Sequence, residues 1–104
     1  MVDFYAEDCP TCKNLNPEYA SLAEYAQVND IPVNVLAVKR EDDVGIMTQF
    51  HIGHYPTIRL YKGEGGGFVE FDGKYTKDAL LKFLKDNGVE KEKVQTEGLI
   101  GQIE

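Results

Sequence analysis

"VDFYAEDCPTCKNLNPEY", residues 2–19, holds both cysteines of the chain, three positions apart, with Pro10 and Thr11 between them. Its first part is short, rich in aromatic and β-branched residues and stopped by the polar run "EDCP", which predicts a strand. The residues after that run predict a helix: Leu15, Tyr19, Leu22 and Ala26 recur at spacings of four, three and four, which lays one apolar stripe along it. Pro10 suits the first helical turn, where its missing N–H costs nothing. Pro17 falls inside the helix, where it removes a backbone bond and predicts a kink. The strand-to-helix junction puts Cys9 at a helix N-terminus, where unpaired backbone N–H groups and the helix dipole favour a thiolate. Cys12 lies on the same side of the first turn, within reach of the Cys9 sulfur. The two can close a small-ring disulfide, with Cys9 the exposed attacking sulfur and Cys12 the shielded resolving one.

Other readings of the pair compete. Two buried cysteines can serve simply as small apolar residues. A closed zinc site wants four ligands, and the further candidates, His51 and His54, are spaced more tightly than the usual histidine pair. An iron–sulfur cluster would need thiols from outside the chain. The expectation is therefore a redox pair with no metal and no cofactor.

Outward from this stretch, "IPVNVLAVKR" (31–40) reads as a β-branched strand of the buried type and "EDDVGIMTQFH" (41–51) as a shorter helix that opens with acids. "PTIRLYK" and "GFVEFDG" alternate apolar and polar residues on either side of "GEGGG", which predicts a hairpin. "TKDALLKFLKDNG" predicts a last helix with Thr76 as N-cap, Leu80, Leu81, Phe83 and Leu84 on its buried side and Gly88 as the stop. Alternation of strands and helices, then a hairpin, implies an α/β fold: a four-stranded mixed sheet with flanking helices. Residues 1–88 form the expected domain, and 89–104, mostly polar with a late "LIGQI", a C-terminal extension or linker.

The 104 residues suit one domain. Eighteen acidic against eleven basic residues give a net charge of −7, which repels phosphate backbones and anionic lipid, so nucleic acid and membrane are not expected partners. The longest apolar stretch, "VNVLAV", is far short of the roughly 20 residues that span a bilayer. Two cysteines are too few for a disulfide scaffold. "GEGGG" has the glycines of a phosphate loop without the Lys-Ser/Thr and helix that should come after it, so it reads as a turn.

"VDFYAEDCPTCKNLNPEY" resembles the active-site segment of the thioredoxin superfamily, and "CKNL" with "PEY" is closest to the catalytic domains of the protein disulfide isomerase family. "HYPTIRLYKGEG" and "FDGKYTKDALLKFL" resemble that family's later strands and last helix, in the right order. The resemblance implies a thioredoxin-like fold, here lacking the extra N-terminal strand and helix, that reduces, forms or isomerises protein disulfides. Its partners would be disulfide- or thiol-containing proteins, with glutathione or a reductase as electron donor. By position, Cys9 resembles the nucleophile, Cys12 the resolving cysteine and Pro17 the proline of the active-site helix. Pro56 resembles the cis-proline beside the disulfide, and Tyr55, Pro56, Pro10 and Thr11 would border the substrate. Asp3 resembles the buried acid that takes and returns the proton of Cys12; spacing alone would equally allow a solvent-facing acid at a strand end.

The departures bear on the chemistry. Asp8, with Glu7 beside it, stands where an aromatic residue is usual, and an acid roughly 7 Å away in water-like dielectric opposes the thiolate by about 0.6 kcal/mol. Thr11 replaces a histidine that would stabilise the thiolate, Tyr75 with Lys74 beside it replaces an arginine, and Lys39 in "AVKRED" stands near a usual acid. The expected couple is more reducing than that of a typical isomerase. The Cys-Pro opening also resembles glutaredoxins, which leaves a glutathione-dependent reductase as an alternative, and a non-catalytic peptide-binding module as another. Localisation depends on the longer gene: the endoplasmic reticulum lumen if the domain is cut from an isomerase, the cytoplasm if Met1 is the native start.

Overall fold

Val2–Tyr5 forms β1, and the chain turns at once into the 19-residue helix α1, Pro10–Val28. In the computed structural model, which describes residues 1–63 and 65–90, the next elements are β2 (Leu36–Lys39), α2 (Val44–Gln49), β3 (Thr57–Tyr61), β4 (Phe68–Glu70) and α3 (Lys77–Asp86). Each helix starts on a residue that supplies an acceptor to its first turn: Cys9, Asp43 and Thr76 receive the N–H of Cys12, Ile46 and Ala79. Pro10 occupies the opening of α1, and Gly88, at φ +82°, comes after α3 as the expected stop. Pro17 sits on the exposed side of a helix that runs on past it.

The sheet order is β2-β1-β3-β4. β1 and β2 pair in parallel across the α1 crossover, Asp3 opposite Ala37, while β3 runs antiparallel to both β1 and β4. The architecture is the expected four-stranded mixed sheet. Period-two alternation divides its side chains between two layers. Met1, Ile58 and Leu60 join Leu15, Tyr19 and Leu22 of α1 and Leu80 and Leu84 of α3 in one buried cluster. Each leucine so enclosed contributes about 2 kcal/mol of apolar burial. On the opposite face Phe4 meets Phe50 just after α2, ring centroids 5.8 Å apart. The predicted stripe of α1 is buried throughout, whereas in α3 Leu80 and Leu84 are enclosed and Leu81 and Phe83 only partly so.

The run at 31–40 departs from expectation. Only Leu36–Lys39 is strand, none of it is fully buried, and Leu36 is 56% exposed. The reason is the sheet order: β2 has one neighbour and forms an edge. A β-branched run marks strand, but not how many sides of it are covered. Val33 and Val35, just before the strand, are the residues of this run that pack on the core. Residues 91–104, where the C-terminal extension was expected, lie outside the described residues. Val89, on the extension side of the expected boundary, still packs against the core cluster.

Candidate active site

Cys9 is the residue at which β1 has ended and α1 has not yet begun. Its backbone is extended (φ −112°, ψ 104°) and its sulfur accepts the N–H of Cys12 at 3.1 Å, so the nucleophile candidate is itself the N-cap of α1. The two cysteines are joined in a disulfide across a Cα–Cα distance of 5.2 Å. Their surroundings differ as exchange chemistry requires: Cys9 is partly exposed and Cys12 is 1% exposed. Pro10 and Thr11, which join them, are exposed.

Asp3 is buried, 1% exposed, which removes the alternative of a solvent-facing acid. It shares the α1 side of the sheet with Ile58, its partner across β1 and β3. One carboxyl oxygen, Oδ1, has no hydrogen-bond partner among the described residues. Loss of hydration disfavours the charged form and pushes its pKa up to about 7. Its neighbour Tyr19 is satisfied: the hydroxyl reaches the carbonyl oxygens of Leu36, at 2.7 Å, and Met1, at 3.2 Å. Burial and the Asp3 charge both raise the tyrosine pKa. A crevice of about 310 Å³ between α1 and β2, lined by Asn16, Ala20 and Ala37 among others, reaches Asp3 from the surface.

The Tyr55–Pro56 peptide bond is cis, as expected of this position, with Pro56 buried and Tyr55 partly so. Beside it a pocket of about 290 Å³ runs between Pro56, Thr57, Glu70, Phe71 and Tyr75, with His54 at its edge. Thr57 donates to the His54 carbonyl at 2.6 Å and lies 3.2 Å from His54 Nδ1, so this histidine helps shape the turn. His51 is exposed in a left-handed conformation. A larger hollow, about 540 Å³, lies between Tyr25, Ile31, Leu81 and Leu84. It adjoins the C-terminal end of α1, some 27 Å of helix from the cysteines, so size alone would misplace the site.

The acids before Cys9 are not bare. Lys39 Nζ lies 2.9 Å from Glu7 Oε1, and Arg40 Nη2 lies 2.9 Å from Asp8 Oδ1. The expectation that Glu7 and Asp8 oppose the thiolate is therefore corrected in degree: both face a cation, although in exposed pairs that water and salt partly screen. Sequence reasoning noted Lys39 but passed over Arg40 and Glu41. Their charge was visible in "AVKRED"; their reach back to the cysteine loop was not, because β2 meets that loop only once it pairs with β1. Tyr75 supplies no charge and packs near Phe71, ring centroids 6.3 Å apart. Among the described residues no group of three or more His, Cys, Asp or Glu side chains is arranged to hold a metal ion, and no helix is long and apolar enough to cross a membrane.

A helix-capping C-x-x-C pair on a β-α-β unit, with a cis-proline and a closing hairpin and helix further along, defines a thioredoxin-like fold. The chain belongs to the thioredoxin family, whose pattern matches residues 1–86. Over 86 residues it is 38% identical to thioredoxin-related transmembrane protein 1 of Bos taurus, covering 83% of this chain and 30% of that protein. Over 87 residues it is 32% identical to protein disulfide-isomerase of Ricinus communis, covering 82% of this chain and 18% of that protein. The J-Trx1 fragment of ERdj5 superposes with a TM-score of 0.73 at 23% identity over 83% of this chain and 39% of that one, a likeness of fold. The chain thus spans less than a third of the length of these two curated relatives. It is homologous to their thioredoxin domains, and Cys9 and Cys12 stand as a C-x-x-C redox pair.

Proposed function

We propose that the chain is a thiol–disulfide oxidoreductase domain of the protein disulfide isomerase type, acting on disulfides and thiols of other proteins. The observation that carries this reading is the Cys9–Cys12 disulfide at the start of α1, with one sulfur accessible and the other buried. In the reducing direction the Cys9 thiolate attacks a substrate disulfide, forming a mixed disulfide and expelling one substrate thiolate. Cys12 then passes its proton to Asp3, directly or through water, and attacks the Cys9 sulfur. That step closes the Cys9–Cys12 disulfide and releases the second substrate thiolate, so two electrons leave the dithiol and reduce the substrate. Run backwards, the same steps oxidise a substrate dithiol.

Asp3 suits the proton step because a carboxyl held near neutrality both accepts and returns a proton at physiological pH. Tyr55 and Pro56 border the substrate on one side, Pro10 and Thr11 on the other, and the pocket beside Pro56 takes a substrate side chain. Glutathione or a dedicated reductase supplies electrons in the reducing direction. With Glu7 and Asp8 paired, a more reducing couple than an isomerase's rests mainly on Thr11 and Tyr75, which offer the thiolate no cation. Residues 1–88 carry this activity. The endoplasmic reticulum lumen suits such a domain when it forms part of a longer isomerase.

Insulin reduction by wild-type chain and by Cys9→Ser tests the reading. Loss of turnover to the uncatalysed background in Cys9→Ser is expected. Equal rates in both would leave a peptide-binding domain with incidental cysteines. Activity that required glutathione would favour the glutaredoxin-like mechanism instead.

A further inference from the structure

Arg40 directly follows β2 and its side chain reaches back toward the site. Its Nη2 donates to Asp8 Oδ1 at 2.9 Å, and Nη2 and Nε both donate to Glu41 Oε2, at 2.6 and 3.0 Å. The other Glu41 oxygen accepts the backbone N–H of Glu7 at 3.2 Å. The guanidinium carbon stands 5.3 Å from the centre of the Tyr55 ring, a cation–π distance. Asp8 is the chain neighbour of Cys9, and Tyr55 of Pro56. One side chain thus touches both the loop that carries the nucleophile and the turn that carries the cis-proline. The Arg40 backbone N–H also bonds to the Tyr5 carbonyl at 2.8 Å, so the base of the side chain is anchored to the sheet.

We infer that Arg40 is a positioning residue for thiol–disulfide exchange: it offsets the charge of Asp8 beside Cys9 and ties the cysteine loop to the cis-proline turn. The charged groups around it are Glu7 with its partner Lys39, Asp8 and Glu41; Lys13 lies one residue past Cys12 in α1, and His54 precedes Tyr55. Three acids against three bases, His54 left aside, balance this rim, and removing Arg40 takes it to −1. A lysine would keep the charge but not the flat fork that meets two carboxylates while facing a ring. The inference deepens the oxidoreductase reading and rests on it for its purpose, but its geometry can be tested separately.

The test uses the reduced full chain at low ionic strength, with the pH dependence of Cys9 alkylation by iodoacetamide and amide hydrogen exchange at Tyr55 and Thr57 as readouts. Arg40→Gln should raise the Cys9 thiol pKa by about 0.4, which slows alkylation below that pKa about 2.5-fold. Asp8→Asn should move it by a similar amount the other way, the double variant should return near wild type, and 1 M salt should erase these differences. Arg40→Lys should restore the alkylation profile yet leave exchange at Tyr55 and Thr57 roughly two- to fivefold faster than in wild type, the worth of an exposed cation–π contact. An unchanged alkylation profile in Arg40→Gln would overturn the electrostatic role, and unchanged exchange in Arg40→Gln and Arg40→Lys would overturn the tie between the loops. Neither readout needs turnover. A failure of the oxidoreductase reading would show instead as normal alkylation without insulin reduction.

Discussion

Two charged side chains are buried in this sheet, one on each face, and they are provided for in opposite ways. Arg59 of β3, 7% exposed, lies among Glu70 at 3.1 Å, the Phe50 carbonyl at 2.7 Å, the Tyr61 hydroxyl at 3.2 Å and the His51 carbonyl at 3.4 Å, with its guanidinium carbon 4.2 Å from the Phe68 ring centre. Asp3 of β1 is enclosed more completely and leaves an oxygen without a partner among the described residues. A buried ion that is fully hydrogen-bonded holds structure together, whereas one left without partners carries a free-energy cost that persists only where something else requires it. Arg59 fastens α2's end and β4 to the central strands. Asp3 lies on the side of the sheet that α1 covers, and its cost is one of lost hydration, which favours the protonated carboxyl.

The contrast is broken most forcefully at Asp3. In the folded chain it keeps its proton up to about pH 7, whereas the ordinary aspartate value is 3.8. Between those values the folded state binds the extra proton. The contribution of Asp3 to stability is therefore full below about pH 4 and is lost as the pH rises to about 7. At about 1.36 kcal/mol per pH unit the loss amounts to roughly 4 kcal/mol at its upper end. Asp3→Asn should accordingly gain up to about that much at pH 8 and almost nothing at pH 4, measured by urea unfolding, while insulin reduction slows. A variant less stable than wild type at pH 8 would remove the claim that the carboxylate is uncompensated.

Arg59→Met should do the reverse. Stranding the Phe50 and His51 carbonyls should cost about 2–3 kcal/mol in the same unfolding measurement at any pH between 5 and 8, with turnover per folded molecule kept. If turnover fell while folding did not, the arginine would belong to the site rather than to the scaffold. The smallest effect is expected at Tyr19, which shares the α1 side of the sheet with Asp3 but is hydrogen-bonded to backbone. Tyr19→Phe should cost about 1 kcal/mol in thermal unfolding. A loss several times larger would mean that the hydroxyl also supports Asp3.

The comparison also shows which features could be read along the chain. Arg59 alternates with Ile58 and Leu60 in "TIRLY" and by pattern should face water. It faces the other layer instead, because α2, the turn at Phe50 and His51, and β4 close over that side. Asp3 sits in an equally ambiguous pattern, and only the likeness to a known active-site segment favoured burial. The edge position of β2 escaped notice for the same reason, since exposure depends on which strands arrive next to it. Arg40 lies 32 residues from Asp8 in sequence and 2.9 Å away in space. By contrast, the caps at Cys9 and Thr76, the stripe from Leu15 to Ala26, the proline at the start of α1 and the glycine after α3 were legible. Each rests on backbone geometry within one or two helical turns.

By itself, then, the sequence determined the order and kind of the elements, the helix-capping cysteine pair and, through the spacing of its motifs, the thioredoxin-like fold. Those are matters of local dihedral preference, hydrophobic period and chain order, which a linear string encodes directly. Tertiary structure alone decided that Asp3 loses its water while Arg59 finds its partners, that Glu7 and Asp8 meet Lys39 and Arg40, and that one guanidinium touches both loops of the site. Desolvation and charge pairing depend on which distant segments the sheet brings within a few ångströms, and no period along the chain records that.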